Sequence, residues 1–136
     1  MNYQGVIIEE SIKDAGMLRG LKVLGTKVKP ITEQHQTPWL AQWTLHTVEI
    51  PEADAENIAN QLSKNLKSDP SAWYADFKND RRHFIIFPNK VFLIDRRKKE
   101  EYAEAKRYGM SLGIPEHQVN FSPEVVIPTS DERETV

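Results

Sequence analysis

The sequence predicts an α+β domain built on a mostly antiparallel sheet of five to six strands with two main helices. Three observations carry that expectation. Trp73 to Arg97 holds three short aromatic and β-branched runs separated by Asn79-Asp80 and Pro88-Asn89, the pattern of a three-strand meander. Residues 51 to 67 place Ala55, Ile58, Ala59, Leu62 and Leu66 at helical spacing. Trp43 to Ile50 alternates between two sets of side chains with the period of a strand. The order reads β(α)ββαβββα, and a ferredoxin-like or related split unit over residues 43 to 112 is one arrangement it allows.

Taken from the start, Gln4 to Glu10 forms a first strand with Val6, Ile7 and Ile8 at its centre. Ser11 to Asp14 has the outline of a capping box and opens a helical turn or two, which Gly16 and Gly20 keep short. Lys22 to Ile31 is a second strand, with Gly25 suggesting a bulge and Pro30 an edge or an end. Thr32 to Leu40 is a connection holding His35 and Trp39. After the third strand, Pro51 starts a helix at the one position where its missing N–H costs nothing, and Glu52, Asp54 and Glu56 complement the positive end of the dipole.

In the meander, Asn79-Asp80 read as a two-residue loop sets Lys78 opposite Arg81 and Asp76 opposite His83. Trp73, Ala75, Phe77, Phe84 and Ile86 then share a core face, while Tyr74, Asp76, Lys78, His83 and Ile85 share a mixed surface. Pro88 cannot adopt a positive φ and implies a slightly longer second loop. Asp95 is the expected N-cap of a helix from about Arg97 to Leu112, packing through Tyr102, Ala105, Tyr108, Gly109 and Leu112. Ile85, Phe92 and Ile94 leave a second apolar surface, to be covered by a helix or by a second copy in a homodimer. Residues 1 to 121 make the domain, and the acidic, Pro-flanked segment 122 to 136 makes a loosely ordered tail.

Composition bounds the function. At 136 residues, 39% apolar and 28% charged, the chain suits a single soluble domain, and a cytoplasmic location is the simplest expectation. Its zero cysteines exclude disulfides and thiolate chemistry. The net charge of −2 is uneven, with eight Lys/Arg against two Asp between Lys78 and Lys99. Solvated turns account for that excess more simply than a nucleic-acid surface does, because Glu100, Glu101 and Glu104 follow at once.

No phosphate-binding, nucleophile-elbow or zinc-protease motif is present, and no cofactor or metal site is expected. The best acid–base constellation is Asp76 with His83, joined by His46 if its strand lies beside residues 73 to 77. A carboxylate next to an imidazole fixes its tautomer and raises its basicity. The plainer expectation is a half-exposed cross-strand ion pair contributing under about 1 kcal/mol. Tyr74, Lys78, Arg81 and Trp39 are the candidate ligand contacts. The sequence therefore favours a small binding module for a ligand or protein partner, ahead of an Asp/His enzyme and of nucleic-acid binding through residues 78 to 99.

Overall fold

The computed structural model describes residues 1–30, 42–68, 72–114, 116 and 119. Among them are six strands, β1 (Tyr3–Ile8), β2 (Lys22–Pro30), β3 (Gln42–Ile50), β4 (Ala75–Lys78), β5 (Arg82–Phe87) and β6 (Lys90–Asp95). Two helices, α1 (Ala55–Asn65) and α2 (Lys99–Ser111), complete the α+β domain. Every strand pair is antiparallel, in the spatial order β2-β3-β1-β4-β5-β6. β3 and β4 run parallel to one another with β1 inserted between them, so β3-α1-β4 is a split crossover. The tail and the strand candidates 116–121 and 125–127 lie outside the described residues but for 116 and 119.

The insertion of β1 requires a close backbone approach. A Cβ on Gly5 would run into the carbonyl oxygen of Asp76, so the β1–β4 contact admits no side chain there. Glu10 finishes the strand from beyond its end, its carboxylate taking the backbone N–H of Thr44 at 2.6 Å and the Thr44 hydroxyl at 2.8 Å.

The expected helical turn after β1 is two short 3-10 segments, Glu9–Ser11 and Ala15–Gly20. Ser11 does not cap either one. Its hydroxyl is buried and donates to the Ile8 carbonyl, while Asp14 caps the second segment by accepting from the Gly16 N–H at 2.9 Å. Asp95 likewise is not the N-cap of α2, a position held by Lys98. Its carboxylate closes a turn one step earlier, accepting from the backbone N–H and the guanidinium of Arg97.

Both meander loops reverse the expectation. Lys78 pairs with His83 and Phe77 with Phe84, so the first loop is longer than two residues. Asn79 is the cause: its side-chain oxygen accepts from the N–H groups of Arg81 and Arg82, an Asx turn that spends two extra residues. The second loop is tight, with Phe87 opposite Lys90. Asn89 takes φ of 61°, supplying the left-handed corner that Pro88 cannot. The register is displaced by two residues, an even number, so the division of side chains between faces survives.

On one face Tyr3, Val48, Ile50, Phe77, Phe84 and Ile86 form a core with Ala55, Ala59 and Leu62 of α1 and with Leu66. On the other, Ile85, Phe87 and Ile94 pack against Tyr102 and Ala105 of α2, together with Ile114 and Val119. Each large side chain fully buried in these clusters contributes about 1.5–3 kcal/mol. The face expected to be a mixed surface is thus covered by a helix. Gly109 allows α2 to lie close, since a Cβ there would sit 2.8 Å from Val119 and 3.0 Å from the Phe87 ring.

β2 stands apart from both cores. Eight of its nine residues are exposed, among them Val23, Leu24 and Val28, and the ladder to β3 is broken by a bulge between Val23 and Gly25.

Candidate functional site

The alternation of β4 and β5 sets Asp76, Lys78 and His83 on the α2 face. Asp76 and His83 are diagonal neighbours rather than directly opposed, within reach of long side chains. His83 Nε2 lies 2.8 Å from an Asp76 carboxylate oxygen, and Nδ1 lies 3.0 Å from the hydroxyl of Tyr102 on α2. Asp76 and His83 are each 2% exposed and Tyr102 is 3% exposed. With the Nε2 proton donated to Asp76, Nδ1 is the acceptor for the Tyr102 O–H. The pair is therefore not the half-exposed one that the sequence suggests. Lys78, directly across the ladder from His83, is buried on the same face.

Such a group has strong structural consequences and poor access. A buried carboxylate needs paired partners, and these come from two strands and a helix, so the array ties α2 to the sheet. A substrate would have to displace α2 to touch it.

His46 is elsewhere. β1 separates β3 from β4, and His46 aligns with Ile7, on the face opposite Asp76. It has its own carboxylate and hydroxyl. His46 Nε2 lies 2.9 Å from Glu9 Oε1, and Nδ1 lies 2.8 Å from the Thr26 hydroxyl. Glu9 is delivered by the 3-10 segment that ends β1, and Thr26 by its place opposite His46 on the β2–β3 ladder. Here the side chains of His46 and Glu9 are 14% and 44% exposed.

The candidate ligand contacts do not converge. Tyr74 packs on Phe87, with ring centroids 6.1 Å apart, and so belongs to the second core. Arg81 sits exposed in the first meander loop. Trp39, with His35 and His117, lies outside the described residues. The basic segment is also divided. Lys78 is buried, and Lys90 starts β6 at the end of the meander opposite Arg82, with its ammonium 5.2 Å from the Phe92 ring centroid. Arg96 donates to the Asn79 carbonyl at 2.6 Å, and Arg97 pairs with Asp95. The Arg97 guanidinium and backbone N–H hold the Asp95 carboxyl down at about 2.

Tyr102, Glu9 and Thr26 complete the two arrays; the sequence places Tyr102 in the packing stripe of α2 but names none of the three as a site residue. Thr26 had a legible signal, an alternating strand followed by another, but its partner depended on register. Among the described residues there is no group of three or more metal-ligating side chains, and no helix is long and apolar enough to cross a membrane. Searches of family models, curated proteins and solved structures find no match.

Proposed function

We propose that the chain is a binding module that takes up an extended segment of a protein partner along the outer edge of β2. One observation carries the reading: a nine-residue strand whose only strand neighbour among the described residues is β3, with Val23, Leu24 and Val28 at 41%, 47% and 54% exposure. The Thr44 N–H turns away from β2 to meet Glu10. By antiparallel alternation its ladder partner Val28 turns its backbone groups outward, as does Thr26. Strand addition supplies main-chain hydrogen bonds, and the apolar side chains supply contact area.

Lys22, Lys27, Lys29, the bulge and Pro30 are devices that discourage indiscriminate pairing of an edge, which favours a selected partner over self-association. Cover of the second sheet face by α2 removes the original argument for a homodimer. The burial of Asp76 and His83 weighs against the enzyme built on that pair.

The test is selection of extended peptides from a displayed library, followed by amide hydrogen exchange and binding to Val28→Pro. Proline at an outward-facing edge position removes no ladder bond but blocks a docking one. Selected peptides are expected to slow exchange at Thr26 and Val28 and to lose at least tenfold in affinity for the variant. Equal binding to Val28→Pro, or protection confined to another region, would remove the reading.

A further inference from the structure

We propose that Thr26, His46 and Glu9 form a nucleophilic acyl-transfer site that hydrolyses activated esters. This inference does not depend on docking at β2. The three residues come from different elements, and their atoms form the continuous chain hydroxyl, imidazole, carboxylate with separations of 2.8 and 2.9 Å. That connectivity defines a catalytic triad by role rather than by position in the sequence. Glu9 accepts the Nε2 proton of His46, which leaves the Nδ1 lone pair directed at the Thr26 hydroxyl. Thr26 is exposed on an edge strand, so a reactant reaches its oxygen without any movement of the fold.

The neighbourhood adds two features. The bulge between Val23 and Gly25 lies immediately before Thr26. The Thr26 backbone N–H points outward by the alternation derived above, where it is available to a developing oxyanion.

The step balances as follows. Thr26 Oγ bonds to the ester carbonyl carbon while its proton passes to His46 Nδ1. The tetrahedral intermediate expels the alcohol oxygen, which takes that proton, leaving an acyl ester on Thr26. Water then adds to the acyl carbon, gives its proton through His46 to the departing Thr26 oxygen, and releases the carboxylic acid. One ester and one water give one acid and one alcohol. Thr26 and His46 are the catalytic residues and Glu9 is a positioning residue.

The experiment uses the full chain with two probes, p-nitrophenyl acetate for turnover and an alkyl fluorophosphonate for trapping, with the adduct located by peptide mass spectrometry. In trapping, the Thr26 oxygen displaces fluoride from phosphorus. The expected result is one adduct per chain, on Thr26, absent in Thr26→Val and retained in Thr26→Ser. His46→Gln should slow turnover by about 10²-fold or more, the contribution usual for a general base. Glu9→Gln should displace the pH–rate profile, and Glu9→Asp should restore part of it. An adduct elsewhere, no adduct on the wild-type chain, or unchanged turnover in His46→Gln would overturn the proposal. Circular dichroism establishes folding of each variant. If one fails to fold, the wild-type adduct position still decides.

Discussion

His83 and His46 each sit between a carboxylate and a hydroxyl, on opposite faces of one sheet, yet their surroundings differ entirely. The Asp76–His83–Tyr102 array is sealed between the meander and α2, whereas the Glu9–His46–Thr26 array lies at the margin where β2 leaves the cores. The hydrogen-bond diagrams are nearly the same. What separates them is solvent. A buried array is costly to break and inaccessible to a reactant; a partly exposed one is cheaper to break and open at its hydroxyl end. Similar side-chain groupings therefore serve architecture in one place and suit chemistry in the other.

The comparison is broken most directly by removing the carboxylates. Asp76→Ala leaves buried partners without their counter-charge and is expected to destabilise the domain by about 3–5 kcal/mol. Glu9→Ala, at a half-exposed pair, should cost under about 1 kcal/mol. Urea unfolding of the two variants measures both, and equal losses would dissolve the distinction. The hydroxyls give a smaller version of the same contrast. Tyr102→Phe removes the hydroxyl partner of a buried imidazole nitrogen and should cost about 1–3 kcal/mol, while the exposed Thr26→Val should remain within about 0.5 kcal/mol of the parent.

Gly109→Ala sharpens the comparison without touching either array. The added methyl would press on Val119 and Phe87, lifting α2 at a cost of about 1–3 kcal/mol. Faster hydrogen exchange around His83 and none around His46 is the expected pattern. The smallest effect concerns Asp95 and Arg97. A carboxyl held at about 2 rather than near its ordinary 3.8 adds stability above the ordinary value, and this is lost as pH falls through about 2. Arg97→Gln should therefore flatten the acid limb of stability between about pH 4 and pH 2, leaving neutral pH little changed.

Much of this architecture was legible because alternation and helical spacing are local properties. The sheet faces around Phe77 and His83 and the stripes of α1 and α2 follow from counting. Loop lengths were not, because one Asn79 side chain organised the first turn and one Asn89 backbone angle closed the second. Nor was the burial of His83 legible, since the stripe on α2 does not say which face of the sheet receives it. His46 was recognised without its partners because Glu9 reaches it only after β1 has been inserted beside β3, a nonlocal event.

That insertion has a kinetic consequence. β2–β3 and β4–β5–β6 each join strands that are neighbours in the chain, so each can assemble early. β1 pairs only with distant strands, Tyr3 with Ile50 and Gln4 with both Glu49 and Lys78. It stitches two preassembled halves together, and the entropy of closing those long loops falls on that step. Substitutions in β1 such as Val6→Ala are thus expected to slow folding. A chevron series on that variant would read the effect, and a change confined to the unfolding limb would place the stitch elsewhere.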